Sequence, residues 1–189
     1  MTTRRARILR LAVLGLLQDT PMHGYELRKH LTTELGVFRA FSYGSLYPCL
    51  RELLDEELIS QQDPPTQQTM SLNRRSRIIY QLTPEGRQHL RRMLAETRPA
   101  ISDDECFGVH FALFGSTRAD VRLRILEERR ERLQERLERF RSVTHDSRQR
   151  VDPYTYELRR YGAESVEREV RWLSDLIRRE REQAAAPNT

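Results

Sequence analysis

The sequence predicts a mostly helical fold with one small β-hairpin, arranged as a compact N-terminal domain followed by long C-terminal helices. Three observations carry that prediction. Apolar residues recur at helical spacing through three short segments, then give way near residue 58 to a β-rich run with partial alternation. Turn and capping signals (Asp19-Thr20-Pro21, Gly36, Thr83-Pro84) punctuate those segments. Beyond about residue 119 a heptad-like apolar pattern takes over.

Each element follows from local chemistry. Ile8, Leu11, Ala12, Leu14 and the run to Leu17 place a first helix over residues 5–18. A second spans 24–35, with Tyr25, Leu27, Leu31 and Leu35 near one face and Gly36 as its stop. Ser42 is a suitable N-cap for a third helix reaching Glu57, whose apolar set is Leu46, Leu50, Leu53 and Leu54. Leu58-Ile59 and Arg77-Ile78-Ile79-Tyr80-Gln81-Leu82 read as two strands of a hairpin joined by a basic loop. Thr83 then caps a fourth helix with Pro84 at its first position, running to about Thr97. The order helix, helix, helix, strand, strand, helix is that of a winged helix-turn-helix domain, assigned to residues 1–97.

Residues 98–118 read as a connecting segment. In it Ser102-Asp103-Asp104-Glu105 forms a capping box for a short, apolar and hence buried helix bearing Phe107 and Phe111. Residues 119–189 read as a helical dimerisation domain. Its first helix, to about Val143, aligns Leu123, Leu126, Leu133, Leu137 and Phe140, with Arg130 as a polar seam position. Asp152-Pro153 marks a break, and a last helix over 163–182 aligns Val166, Val170, Leu173 and Ile177 with Trp172 beside them. Two such amphipathic helices bury both apolar stripes most economically in a two-fold homodimer.

Composition narrows the function. Residues 1–92 carry 14 Lys+Arg against 9 Asp+Glu, whereas 93–189 carry 19 of each, so the whole net charge of +5 lies in the N-terminal half. A polyanionic partner such as double-stranded DNA fits that asymmetry. Cys49 and Cys106 lie in apolar helical patterns without Cys-x-x-Cys partners and read as buried thiols of a reducing, cytoplasmic environment. The N-terminal apolar run is too short to span a bilayer, so no membrane partner is expected. No phosphate-binding loop, nucleophile elbow, zinc-protease or dinucleotide motif occurs, which argues against an enzyme and against a bound cofactor. Cys106 and His110 have the i,i+4 spacing of two metal ligands, but nothing nearby completes a set, and no metal is expected.

DNA recognition needs polar or aromatic side chains on the exposed start of the third helix, and Ser42, Tyr43, Ser45, Tyr47 and Arg51 occupy it. Pro48 is tolerated only in the early turns, which limits where that helix begins. In the hairpin loop Arg74, Arg75 and Arg77 suit phosphate or minor-groove contact. The competing class is a winged-helix interaction scaffold that recruits a protein through its C-terminal helices.

His23-Gly24-Tyr25-Glu26-Leu27, Ser45-Leu46-Tyr47-Pro48 with Leu50-Arg51-Glu52-Leu53, and Tyr80-Gln81-Leu82-Thr83-Pro84-Glu85-Gly86 resemble the PadR family of transcriptional regulators. The resemblance covers about residues 8–97, and the C-terminal part is similar to the longer PadR subfamily with a helical dimerisation domain. It implies a repressor that binds an operator as a homodimer and is often released by a small-molecule effector. It further implies helix contacts at Ser45, Tyr47 and Arg51 and wing contacts at Arg75 and Arg77. One departure is visible: family wings usually carry a glycine before the basic strand, and Thr66–Ser76 has none.

Overall fold

The computed structural model describes residues 4–33, 43–62, 78–146 and 152–185. The chain forms two compact units, Met1–Thr117 and Arg118–Thr189.

In the first unit, α1 (Arg4–Leu16) is the central helix. Ile8, Leu9, Leu11, Ala12, Val13 and Leu14 are all buried, as expected of an almost uninterrupted apolar run. It packs against α2 (Gly24–Thr33), α3 (Tyr43–Asp55) and α4 (Pro84–Ala95). Arg10 is buried with them, and its guanidinium makes a bidentate pair with Glu56, Nη1 lying 2.7 Å from Oε1. That pairing holds the Glu56 carboxyl below its usual range and offsets the desolvation of Arg10.

The sheet has three antiparallel strands, one more than the sequence predicts. β2 (Ile59–Gln62) and β3 (Ile79–Leu82) form the hairpin with Ile59 opposite Leu82 and Gln62 opposite Ile79. β1 (Met22–His23) pairs with the other edge of β3, so β3 is central. A two-residue strand has no periodicity to read, and only tertiary pairing defines it.

Two junctions lock this sheet to the helices. After α3 the chain turns through Glu57 at φ 57°, the left-handed region. Leu58 N–H donates to Leu53 O (2.9 Å) and Glu57 N–H to Leu54 O (3.0 Å), the paired bonds of a Schellman stop, with Leu53 and Leu58 both buried beneath. Thr83 caps α4 as predicted, its Oγ1 accepting from Gly86 N–H (2.9 Å). The same hydroxyl lies 2.8 Å from the Glu57 carbonyl and 3.0 Å from that of Leu58, positioned to donate to either.

Beyond α4 the structure refines the predicted connection. α5 (Thr97–Ser102) was not expected, and Ser102 ends it, its hydroxyl donating to Arg98 O. Asp103, rather than Ser102, caps α6 (Asp104–Ala112), accepting from Cys106 N–H at 2.7 Å. The short helix is indeed buried: Cys106 and Val109 join the core of the first unit. Phe107 is buried and stacks on half-buried Phe111 (5.8 Å between centroids), which meets Phe114 at 5.1 Å in a short 3-10 turn.

The second unit is a pair of long helices, α7 (Ala119–Asp146) and α8 (Pro153–Ala185), packed on each other. Ion pairs Arg122–Glu180, Arg129–Glu169 and Arg141–Glu167 run in antiparallel order between them. Asp152-Pro153 is the start of α8 rather than only a break: Asp152 Oδ1 accepts from Tyr154 and Thr155 N–H, and Pro153 takes the first position. The buried set of α7 is Val121, Ile125, Leu126, Leu133 and Leu137, with Leu123 and Phe140 half-buried. Arg129, not Arg130, is the charged residue taken fully inside, because Glu169 meets it there with a 2.7 Å contact. Arg130 is half-buried.

Candidate nucleic-acid interface

α3 has two faces. Leu46, Cys49, Leu50 and Leu53 point into the core, while Gly44, Tyr47, Pro48, Arg51, Glu52 and Asp55 point out. Spacings of three and four residues put the outward set on one continuous strip. Tyr47 is about half exposed, and its hydroxyl sits over Gly24, where an added Cβ would lie 3.8 Å from the phenol oxygen. Tyr47 therefore stands at the corner where α2 and β1 meet. Burial, with Tyr47 close by, raises the pKa of the Tyr80 hydroxyl on the central strand.

Of the predicted recognition residues, the structure places Tyr47 and Arg51 together on the exposed strip and Ser45 half-buried beside it. Tyr43 opens the helix, and Ser42 lies outside the described residues. Pro48 is tolerated on the outer face in the second turn. Cys49 on the inner face is a buried thiol pushed up to about 12 by desolvation, so α3 carries no reactive sulfur.

The corner leading into α2 is braced. His23 N–H donates to Glu26 Oε2 (2.8 Å), a capping arrangement, and His23 Nδ1 lies 3.3 Å from Ile78 O at the foot of the hairpin. The Arg28 guanidinium stacks 5.3 Å from the exposed Tyr25 ring. The connection of the hairpin, residues 63–77, including Arg74, Arg75 and Arg77, lies outside the described residues.

The predicted dimer contacts divide by burial. Leu126, Leu133, Leu137, Val166, Leu173 and Ile177 are buried within one chain. Val170 is half-buried and Trp172 is exposed. What sequence reasoning missed is the first third of α8, where Tyr154, Leu158 and Tyr161 are exposed apolar residues. At about 100° per residue, Tyr154, Leu158, Tyr161 and Trp172 fall within roughly 60° of one another, about 120° around the helix from Val166 and Leu173. The spacing was visible in the sequence, but Asp152-Pro153 and Gly162 obscured the helix that gives it meaning.

Among the described residues no group of three His, Cys, Asp or Glu is placed to hold a metal ion, and no helix is long and apolar enough to cross a membrane.

Three helices, a three-stranded sheet with a basic hairpin connection, and an outward-facing third helix define a winged helix-turn-helix protein. Residues 13–92 match the transcriptional regulator PadR-like family. The negative transcriptional regulator PadR of Bacillus subtilis (strain 168) is 31% identical over 93 residues, 49% of this chain and 48% of that protein; the match thus spans about half the length of that relative. Among solved structures, Bacillus subtilis PadR in complex with operator DNA is 21% identical, with a TM-score of 0.43 over 92% of this chain and 99% of that one. The same protein in complex with p-coumaric acid is 20% identical, with a TM-score of 0.42 over 92% and 98%. The PadR-like regulator BC1756 from Bacillus cereus is 18% identical, with a TM-score of 0.40 over 93% and 99%.

Proposed function

We propose that this chain is a sequence-specific DNA-binding transcriptional repressor that acts as a homodimer on a pseudo-palindromic operator and is released by a small-molecule effector. The observation that carries the reading is α3: one face is anchored in the core by Leu46, Leu50 and Leu53, and the other turns Tyr47 and Arg51 outward. Ser42, Tyr43, Ser45, Tyr47 and Arg51 would enter the major groove, Arg51 reading a base edge and Tyr47 holding a phosphate. Arg74, Arg75 and Arg77 on the hairpin connection would add phosphate or minor-groove contacts. The excess positive charge of the N-terminal half supports this assignment. The direction of regulation follows the Bacillus subtilis relative, a negative regulator. The protein would act by binding rather than by catalysis, in the cytoplasm.

Residues 1–97 would then read DNA and residues 119–189 would dimerise. The strip formed by Tyr154, Leu158, Tyr161 and Trp172 leaves an apolar surface on α8 that a second copy would cover. Two-fold symmetry places the two recognition helices about 34 Å apart, one turn of duplex. Selection of bound fragments from genomic DNA, followed by footprinting, tests the proposal. A two-fold footprint that Arg51→Ala alters in sequence preference is expected; retention of no fragment would refute it.

A further inference from the structure

One face of α2 packs on the core and the other carries a basic, aromatic strip. At roughly 100° per residue, Tyr25, Arg28, Lys29 and Thr32 fall within about 100° of one another, turned away from the buried Leu27 and Leu31. Tyr25, Lys29 and Thr32 are exposed and Arg28 is half-buried. No carboxylate opposes the two cations on that strip. Glu26, the one acidic residue of α2, accepts from His23 N–H at the start of the helix (2.8 Å).

Two further observations give the strip a use. First, the Arg28 guanidinium lies 5.3 Å from the centroid of the Tyr25 ring, which is 59% exposed. Stacking holds a guanidinium by its face and leaves its N–H edge to donate. It also restricts a long side chain whose ordering would otherwise oppose binding. Second, the strip adjoins the outward face of α3. The Tyr47 ring lies against the first residue of α2, where a Cβ on Gly24 would be 3.6 Å from Cε1 and 3.8 Å from the hydroxyl. His23 ties the same corner to the hairpin, Nδ1 lying 3.3 Å from Ile78 O. Tyr25 is the next residue, so the two strips approach each other at a corner fixed on both sides.

We propose that the outer strip of α2 is a second DNA contact, which grips the sugar–phosphate backbone beside the groove entered by α3 and reads no base. This deepens the repressor reading and rests on it. Arg28 and Lys29 would each meet a phosphate, and the Tyr25 hydroxyl would donate to one. The Tyr25 ring is a positioning residue, acting through the guanidinium it holds. Charge and continuity both favour the nucleic-acid backbone as occupant: the strip is cationic, and the helix face beside it already turns toward DNA.

Fluorescence anisotropy tests this with the full chain, a genome-selected fragment and a scrambled duplex of equal length, across a range of salt. Lys29→Gln and Arg28→Gln should each weaken both duplexes several-fold and by similar factors. Each should also make the slope of log affinity against log salt shallower, by about 0.9 for every phosphate charge lost. Tyr25→Phe keeps the stacked ring, so it should lose the hydroxyl contact while retaining the wild-type slope. Tyr25→Leu should lose more, and combining it with Arg28→Gln should cost less than the product of the two single effects. Thermal unfolding should be unchanged in Lys29→Gln and Tyr25→Phe, whose side chains are exposed in the wild type. Unchanged affinity and slope in both glutamine variants would overturn the proposal and leave the α3 reading in place; a protein partner on this face would give that result. Losses confined to one duplex would overturn it too, since they indicate base readout. A wild type that binds neither duplex would bring down the repressor reading itself, and the strip with it.

Discussion

Replacing Gly86 with alanine should destabilise the N-terminal unit, against the usual preference of helices for alanine. Gly86 lies in the first turn of α4, where an added Cβ would sit 2.0 Å from the Leu58 carbonyl oxygen and 2.8 Å from Leu82 Cδ1. The leucine side chain can rotate away, but the carbonyl cannot move freely. It faces both the backbone N–H of Thr83 (3.2 Å) and the Thr83 hydroxyl (3.0 Å). Nor can α4 retreat, because Gly86 N–H itself donates to Thr83 Oγ1. Relieving the overlap takes a shift on the order of 1 Å, an overpacking cost of about 1–3 kcal/mol. Losing one of the Leu58 carbonyl bonds adds about 1 kcal/mol. The gain from replacing glycine within a helix returns about 1 kcal/mol at most, leaving a net loss of about 1–3 kcal/mol. At roughly 3 °C per kcal/mol for a chain of this size, Tm should fall by about 3–9 °C. Thermal unfolding followed by circular dichroism measures it. Gly44→Ala is the control, because nothing lies within 4 Å of a Cβ there and Tm should hold or rise. If Gly86→Ala matches or exceeds the wild type in Tm, the close packing of α4 on the hairpin is refuted.

Other perturbations follow from the same contacts. Glu57→Gly should stabilise the chain by about 1 kcal/mol, because glycine adopts the left-handed turn after α3 without strain; an unchanged urea midpoint would contradict that. Glu169→Gln should cost about 3 kcal/mol by removing the carboxylate charge that meets the buried Arg129 guanidinium, whereas Arg129→Met with Glu169→Leu should recover most of it; a double mutant as unstable as the single one would count against a purely electrostatic role. The pH dependence has a defined sign. A histidine whose folded pKa is depressed binds its proton first in the unfolded state, so stability is lost as pH falls through the usual 6.5 toward about 4. His110 should contribute a loss of about 3 kcal/mol over that window. His89, which burial also holds low, adds in the same direction. Urea unfolding of wild type and His110→Leu between pH 7 and 4.5 should diverge by the His110 share, and parallel curves would show that His110 is not the titrating group.

The winged-helix order was readable because its signals are local. Thr83-Pro84 could hardly do anything but start a helix, and the apolar run of α1 could only be core. Legibility failed where one signal had two meanings or where pairing was purely tertiary. Asp152-Pro153 ends one segment and starts the next with equal chemistry, so the first ten residues of α8, with their exposed tyrosines, went unread. Ser102 and Asp103 are both good caps, and only the geometry of the Cys106 N–H distinguishes them. The heptad reading of α7 placed charge at Arg130, but burial of a charge is decided by its partner, and Glu169 reaches Arg129. β1 exists only because Ile79 and Tyr80 are there to pair with it.

The central claim is that the outward face of α3 and the arginines of the hairpin connection bind DNA. The most direct measurement is the affinity of the full-length protein for a genome-selected fragment as a function of salt, for wild type and for Arg75→Ala. Affinity should fall steeply with rising salt, and the variant should bind less tightly and show a slope shallower by about one unit, the signature of a lost phosphate contact. Salt-independent binding, or a variant with unchanged affinity and slope, would contradict it.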